Sequence, residues 1–134
     1  MVVRRASTPR FHDAAASRAG VELDRSGAWL LGRMAVEGAI RLSDLAALQG
    51  VDLSTTSRQV KPLLERGLVE KGDHPTDGRA ALLSLTPAGL RMHRRLTGQR
   101  RAVIGAAVEK WRPADRDRFA SLLERFAADF AELV

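Results

Sequence analysis

Two adjacent segments, residues 42–67 and 71–89, limit most strongly what this chain can fold into. In the first segment, small Ala46 lies in an apolar stretch, Gly50 follows it, and a polar run begins at Ser54. Apolar positions at helical spacing on both sides of a glycine predict two helices joined by a tight turn. The segment is therefore predicted to be a helix-turn-helix, with Ser43 and Ser54 as the helix caps.

Two short runs typical of β-strands flank the tip of the second segment. Residues 68–71 lead into the segment, and residues 81–85 lie within it. Between them lies a polar tip, residues 73–79, with a proline and a glycine, which predicts a hairpin. A helix-turn-helix followed directly by a hairpin is the arrangement of a recognition helix and a β-wing. Such a pair is expected to bind DNA in two adjacent grooves.

The remaining residues predict helices and one brief strand. Residues 10–19 and 24–38 favour helices, 39–41 favour a short strand, and Thr86 with Pro87 is a signal for the start of a long helix to about Trp111. Pro113 begins a last helix. We therefore expect a mainly α protein with a small β-hairpin wing, an α+β fold, forming one domain over residues 1–134.

Composition narrows the classes of function. The 134 residues carry 22 Lys and Arg against 16 Asp and Glu, a net charge of +6, which favours an anionic partner such as nucleic acid. The absence of cysteine excludes disulfides and thiolate metal sites. No apolar run reaches the length of about 18 residues typical of a membrane span, and no secretory signal is recognisable, so the cytoplasm is the expected location.

The two faces of the second motif helix predict different roles. Thr56, Val60, Leu63 and Leu64 are expected to face inward. On the opposite face, Arg58 is the candidate for a bidentate contact to guanine in the major groove. The residues expected to contact DNA from this helix are Ser54, Thr55, Ser57, Arg58, Gln59 and Lys61.

These side chains suit different parts of DNA. Thr55 and Gln59 suit base edges or a thymine methyl group. Ser54, Ser57 and Lys61 suit phosphates. At the wing tip, Arg79 is expected to enter the minor groove, and Asp77 to hold a guanidinium in a bidentate pair. For Ser54, plain helix capping is an equally acceptable interpretation.

Several motifs resemble those of the MarR family of bacterial transcription regulators. Residues 77–79 and 85–89 (DGR and LTPAG) are similar to the family signature D-x-R…L-T-x-x-G. Residues 53–58 and 64–69 (LSTTSR and LERGLV) are similar to its run L-S-x-x-x-S-R…L-x-x-x-G-L-V. The resemblance covers roughly residues 20–134. Two positions depart from it: Pro62 lies inside the recognition helix, where proline usually introduces a kink, and Thr56 replaces an aliphatic residue, which predicts looser packing.

The resemblance implies a homodimer on a pseudo-palindromic operator, in many members a repressor released by a small aromatic or lipophilic effector. It implies a winged helix-turn-helix over about residues 24–86, with dimerisation helices at 1–20 and 87–134. An effector cleft is expected near His12 and Trp29. The terminal helix carries an apolar stripe at helical spacing that is expected to form the dimer interface, through Phe119, Leu122, Phe126 and Phe130.

Two alternatives remain open from the residues. A winged helix can also be a protein-interaction module without specific DNA binding; an apolar exposed face on the second motif helix would favour it. An enzyme is disfavoured, because no catalytic motif, cofactor loop or metal-ligand spacing is recognisable, and His12, His74 and His93 are scattered. The arginine cluster between residues 91 and 101 is expected to be a solvated face.

Overall fold

A computed structural model describes residues 9–73, 76 and 81–133. Within these residues the order of helices and strands follows the sequence prediction closely. The elements are α1 (Pro9–Ala19), α2 (Arg25–Glu37), β1 (Ile40–Arg41), α3 (Leu42–Gln49), α4 (Leu53–Glu65), β2 (Val69–Asp73), β3 (Ala81–Leu85), α5 (Pro87–Val108) and α6 (Pro113–Ala131). The mainly helical fold with a small antiparallel sheet confirms the predicted fold class.

The helix-turn-helix consists of α3, a turn at Gly50, and α4. Gly50 adopts a left-handed conformation with φ 72°, which residues with a side chain rarely adopt, and its N–H donates to the carbonyls of Ala46 and Ala47. Helix α4 continues through Pro62 to Glu65. Proline removes the backbone donor that would reach the carbonyl of Arg58, four residues earlier, but the helix does not end there.

The predicted caps of the two motif helices are wrong. Helix α3 starts one residue before Ser43, with Arg41 at its N-cap position and no side-chain cap. Helix α4 starts before Ser54 because the Asp52 carboxylate accepts from the Thr55 N–H and caps it. An ionised carboxylate makes stronger hydrogen bonds to backbone N–H groups than a hydroxyl does, so Asp52 displaces Ser54 from this role.

One hydrophobic core joins the helix-turn-helix to the sheet. Its buried members come from α2, both motif helices and all three strands: Leu30, Leu31, Met34, Ile40, Leu45, Val60, Leu63, Leu68, Val69 and Leu83. Burial of each such side chain contributes about 1.5–3 kcal/mol. Thr56 is also fully buried, and its hydroxyl donates to the Asp52 carbonyl at 3.2 Å. The inward face predicted for α4 is therefore correct, with Leu64 only partly buried.

The sheet has the strand order β1-β3-β2, and both pairs are antiparallel. Ile40 pairs with Leu83, and Val69 pairs with Leu85. Only Val69 of β2 is buried, so the rest of this strand is exposed as a wing. The predicted hairpin strands are confirmed.

Helix α5 begins against the base of the wing. The Thr86 hydroxyl accepts from the Gly89 N–H at 3.1 Å, which confirms Thr86 as the cap, and donates to the Gly67 carbonyl at 2.6 Å. A Cβ on Gly89 would lie 2.0 Å from the carbonyl oxygen of Leu68. Glycine is required here because the helix and the backbone before β2 approach too closely for any side chain.

Helix α1 packs on α2 and α5 through small side chains, with Ala15, Ala16, Ala28 and Leu96 buried together. The arginine cluster of α5 is only partly a solvated face. Arg95 donates to the carbonyl of Ala19 at the end of α1, and Arg100 donates to a ring nitrogen of His12. The expectation of a simply solvated cluster is wrong for these two arginines, which attach α5 to α1.

The chain divides into two compact units, Met1–Arg100 and Arg101–Val134. In the second unit, helix α6 buries none of its own residues in the single chain, and the ring centroids of Phe126 and Phe130 lie 5.8 Å apart in a stacked arrangement. Among the described residues, no helix is long and apolar enough to cross a membrane. The prediction of one domain over the whole chain stays a prediction.

Candidate nucleic-acid interface

The outer face of α4 is polar. Ser54, Ser57, Arg58 and Lys61 are exposed there, and Thr55 is half-buried. Lys61 lies 3.9 Å from Glu65 in a pair whose side chains are largely exposed, so this ion pair contributes little and leaves the ammonium available. The structure divides the predicted residues between two grooves: Ser57 and Lys61 line one beside the wing strands, and Thr55, Arg58 and half-buried Gln59 line another beside residues 22–24.

The first turn of α4 contains a hydrogen-bonded network around Asp52. One carboxylate oxygen, Oδ1, accepts from the Ser54 hydroxyl at 2.5 Å and from the Thr55 N–H at 2.7 Å. The other oxygen, Oδ2, accepts from the Thr55 hydroxyl at 2.9 Å. That hydroxyl in turn accepts from the guanidinium of Arg58 at 3.2 Å. Three donors thus converge on one carboxylate, and Arg58 is attached to it through Thr55.

This network stabilises the ionised form of Asp52. The hydrogen bond from the Ser54 hydroxyl, followed by those from Thr55, lowers the pKa of Asp52 from 3.8 to about 2, and the charge of Arg58 adds a smaller effect in the same direction. Asp52 is therefore ionised at neutral pH. Because the Ser54 hydroxyl donates to Asp52, a contact from Ser54 to a phosphate stays a prediction and requires that hydroxyl to turn away.

A groove of about 500 Å³ separates α4 from the wing strands. Three cationic residues, Arg41, Lys61 and Lys71, line it together with serines and with apolar residues such as Leu53 and Val60. Arg41 is partly neutralised by Asp44, whose carboxylate lies 2.9 Å from its Nε. This concentration of positive charge beside an exposed helix favours an anionic ligand such as a phosphate backbone.

The sequence interpretation missed three residues of this surface. Arg41 and Lys71 lie on strands outside the motif helix, and only the sheet topology brings them to the groove. Asp52 was detectable, since aspartate is one of the residues preferred at the N-cap of a helix. The predicted wing-tip residues Asp77 and Arg79 lie outside the described residues, as does His74.

The two residues expected in an effector cleft have different neighbours. His12 is buried, its Nε2 lies 2.7 Å from the Leu23 carbonyl, and its Nδ1 lies 3.2 Å from Arg100. A carbonyl accepts and a guanidinium donates, so both contacts are satisfied by a neutral imidazole protonated on Nε2. Trp29 packs against the core, with the Arg33 guanidinium 5.9 Å from its ring centroid.

Two further groups lie in the same part of the first unit. His93 is partly buried, and burial lowers its pKa, with the nearby charge of Arg100 acting in the same direction. The Nε of Arg100 is buried and has no hydrogen-bond partner. A buried unpaired donor is costly, so this atom is a site where an acceptor would be stabilised.

The predicted dimer residues are exposed in the single chain. Phe126 of α6 is 60% exposed, and Phe119, Leu122 and Phe130 are each exposed by more than two fifths. Large apolar side chains gathered on one face of a helix are typical of an interaction surface. Among the described residues, no group of three or more His, Asp or Glu is arranged to hold a metal ion.

Known proteins similar to this chain are transcription regulators. Residues 30–81 match the model of the MarR family. The uncharacterized HTH-type transcriptional regulator YdgG of Bacillus subtilis is 32% identical over 106 residues, which cover 78% of this chain and 68% of YdgG.

Solved structures agree with this match. The Rv1404 protein of Mycobacterium tuberculosis superposes with a TM-score of 0.80 at 30% identity, over 95% of this chain and 88% of that one. The PcaV transcriptional regulator of Streptomyces coelicolor, in complex with its natural ligand, has a TM-score of 0.60 at 28% identity, over 95% of this chain and 89% of PcaV.

Proposed function

Because the chain belongs to the MarR family of transcriptional regulators, we propose that it works as a homodimeric repressor on a pseudo-palindromic operator. The chain is a DNA-binding regulator, and the proposal concerns which of its surfaces contact the DNA. The observation that carries the proposal is the polar outer face of α4, with Arg58 exposed on it, beside a groove lined by three cationic side chains. In this account α4 enters the major groove, and Arg41, Lys61 and Lys71 contact phosphates.

A protein-interaction module is not favoured. Such a module needs apolar side chains on the exposed face of α4, but that face presents hydroxyls, an arginine and a lysine. Leu53, the first residue of the helix, is the exposed large apolar side chain that α4 itself carries among the described residues. The family is one of transcription regulators, so no enzymatic activity is proposed, and the cytoplasm, where a bacterial chromosome lies, is the proposed location.

The proposed homodimer rests on α6. Its exposed stripe of phenylalanine and leucine side chains finds no cover in the single chain. A second copy would cover the stripe with an identical one, which is the self-complementary contact of a two-fold dimer. A two-fold dimer presents two copies of α4, so its operator is expected to contain two inverted half-sites.

The proposed effector is a small aromatic or lipophilic molecule. The PcaV structure contains a natural ligand, which supports an effector in a protein of this fold. In this chain, the unpaired Nε of Arg100 near His12 favours a ligand with an acceptor such as a carboxylate. The test is release of bound DNA by a panel of aromatic carboxylic acids, with His12→Ala and Trp29→Ala expected to weaken that release.

The binding function is tested by fluorescence anisotropy. The purified protein is titrated against the DNA upstream of its own gene and against a scrambled duplex, across a series of salt concentrations. A preference for the native duplex of about 10³-fold or more, with a steep salt dependence, is expected. Equal and weak binding to both duplexes would contradict specific regulation from this DNA.

A further inference from the structure

Asp52, Thr55 and Arg58 form a continuous hydrogen-bonded chain along the first turns of α4. The Thr55 hydroxyl is donor and acceptor at once: it donates to Asp52 Oδ2 at 2.9 Å and accepts from Arg58 Nη2 at 3.2 Å. A guanidinium has five N–H donors, so one bond to Thr55 leaves four free. Arg58 can therefore be held in place and still offer the paired donors that guanine requires.

The same carboxylate changes the electrostatics of the helix start. The N-terminus of a helix carries a partial positive charge and free N–H groups, so it attracts phosphate of any sequence. Here Asp52 already fills that position, since its Oδ1 accepts from the Thr55 N–H and from the Ser54 hydroxyl. A phosphate approaching this turn meets a fixed negative charge, and two of the groups that would bind it are occupied.

These two effects act in the same direction. We propose that Asp52 is a specificity-determining residue of the DNA-binding surface, which positions Arg58 through Thr55 and weakens phosphate binding at the start of α4. It lowers binding to DNA of any sequence and favours binding through the base contact of Arg58. The inference rests on the proposed function, because it assumes that α4 reads the operator.

Two substitutions separate the two effects. Asp52→Asn keeps an oxygen that accepts from the Thr55 N–H, and asparagine caps helices as well as aspartate does, but the negative charge and the second acceptor oxygen are lost. Thr55→Val keeps the shape of the side chain and the charge of Asp52, and removes only the hydroxyl that joins Asp52 to Arg58. The first variant loses both effects. The second keeps the charge of Asp52 and loses the positioning of Arg58, and a comparison of Thr55→Val with and without Arg58→Ala separates this loss from that of any base contact by the Thr55 hydroxyl itself.

The expected results differ for each variant. For Asp52→Asn, the ratio of operator to scrambled-duplex affinity falls about fivefold or more, and the salt dependence steepens by up to about 0.9 in the logarithmic slope. For Thr55→Val, the affinity ratio falls while the slope is unchanged. Asp115→Asn, which removes the same charge from the first turn of α6, is the charge-matched control and is expected to leave both quantities unchanged.

A double-mutant cycle distinguishes positioning from a general effect on folding. If Asp52 acts through Arg58, then Asp52→Asn in an Arg58→Ala background causes no further loss of discrimination at the base pair that Arg58 reads. Circular dichroism of each variant checks that the helices remain, and Thr55→Val supplies the positioning readout if Asp52→Asn does not fold.

The experiment measures anisotropy of the full chain on a selected operator and on its scrambled duplex, at five salt concentrations. A wild-type chain without preference for the operator overturns the proposed function and the inference together. A specific wild-type chain whose preference is unchanged in both Asp52→Asn and Thr55→Val overturns the inference alone. The inference is also overturned if Asp52→Asn lowers the preference for the operator equally in the wild-type and Arg58→Ala backgrounds. Asp52 would then act independently of Arg58. The inference is supported if the affinity ratios, the salt slopes and the double-mutant cycle all have the values predicted above.

Discussion

The carboxylate of Asp52 determines what the first turn of α4 offers to a ligand. It accepts three hydrogen bonds from Ser54 and Thr55, and it connects to Arg58 through the Thr55 hydroxyl. Rules for helix caps rank aspartate and serine almost equally, and the sequence prediction of Ser54 as the cap was wrong. Asp52 is the cap because its charged carboxylate accepts hydrogen bonds from Ser54 and Thr55, and these groups come within reach only in the folded backbone.

Arg58 and Lys61 are predicted to act differently on DNA. Replacement of Arg58 by alanine is expected to weaken operator binding by about 1–3 kcal/mol and to relax specificity at one position in each half-site. Lys61→Ala is expected to weaken binding to all sequences and to reduce the salt slope by about 1. Anisotropy on operator and scrambled duplexes measures both. Equal losses on the two duplexes for Arg58→Ala would contradict base recognition by this residue.

Acid should remove the stabilisation that Asp52 provides. Hydrogen bonds from Ser54 and Thr55 lower the pKa of Asp52 from 3.8 to about 2 in the folded chain, so the folded state favours the ionised form. This contribution is complete where the unfolded carboxyl is also ionised, above about pH 5, and is lost progressively as the pH falls towards 2. The free energy of unfolding of the wild type minus that of Asp52→Asn is therefore expected to be constant above about pH 5 and to shrink below it. Urea denaturation across this range measures it, and a constant difference would contradict the assignment.

At the scale of elements, the contact between α5 and the backbone before β2 fixes the wing to the helices. Gly89 lies in the first turn of α5, close to the Leu68 carbonyl, and Thr86 bonds to the Gly67 carbonyl. The sequence predicted the start of this helix from Thr86 and Pro87, because caps are local signals. It placed Gly89 in the LTPAG motif but gave no structural reason for it, because the close approach joins Gly89 to a backbone segment about 20 residues earlier.

Two glycines of α5 are predicted to respond in opposite ways to alanine. Gly89→Ala places a Cβ 2.0 Å from the Leu68 carbonyl oxygen and is expected to cost about 1–3 kcal/mol or more of folding stability. Gly98→Ala is the matched control, since a Cβ there meets nothing within 4 Å, and alanine should stabilise the helix by about 0.5–1 kcal/mol. Thermal unfolding measures both. If Gly89→Ala left the folding stability unchanged, the backbone around the Leu68 carbonyl could move aside at little cost.

Strand pairing shows the same limit of local signals. The short run of residues 81–85 and the turn residues before it predicted β3 and its hairpin partner. The two-residue strand β1 was expected only as a brief strand, and its place next to β3, with Ile40 opposite Leu83, follows from the core. This pairing is what brings Arg41 to the groove beside α4, so a basic residue of the candidate site was missed.

In the whole molecule, the apolar face of α6 is the feature that supports association with a second copy of the chain. The periodicity of Phe119, Leu122, Phe126 and Phe130 predicted an apolar stripe, and the structure places all four on the surface of the single chain. The sequence shows that the stripe exists, but a single chain contains no information on the geometry of its partner. The dimer therefore stays a proposal.

Charge on the stripe is predicted to separate the dimer. Phe126→Asp puts a carboxylate into an apolar contact, where burial of an unpaired charge is unfavourable, so sedimentation should show a monomer and operator binding should be lost with it. Ser121→Asp introduces the same charge on the opposite side of α6 by helical periodicity and should leave the dimer intact. A monomeric Phe126→Asp chain with native operator affinity would show that DNA binding does not need the dimer.

Selection from a pool of random duplexes, followed by sequencing, measures whether the chain reads DNA as a dimer through α4. We expect an enriched inverted repeat whose half-sites lie about 10–10.5 base pairs apart, centre to centre, or a multiple of that. We also expect selection with Arg58→Ala to lose the preference at one base pair in each half-site. Enrichment of no sequence, or of a single half-site without its inverted copy, would show that the chain does not read an operator as a two-fold dimer.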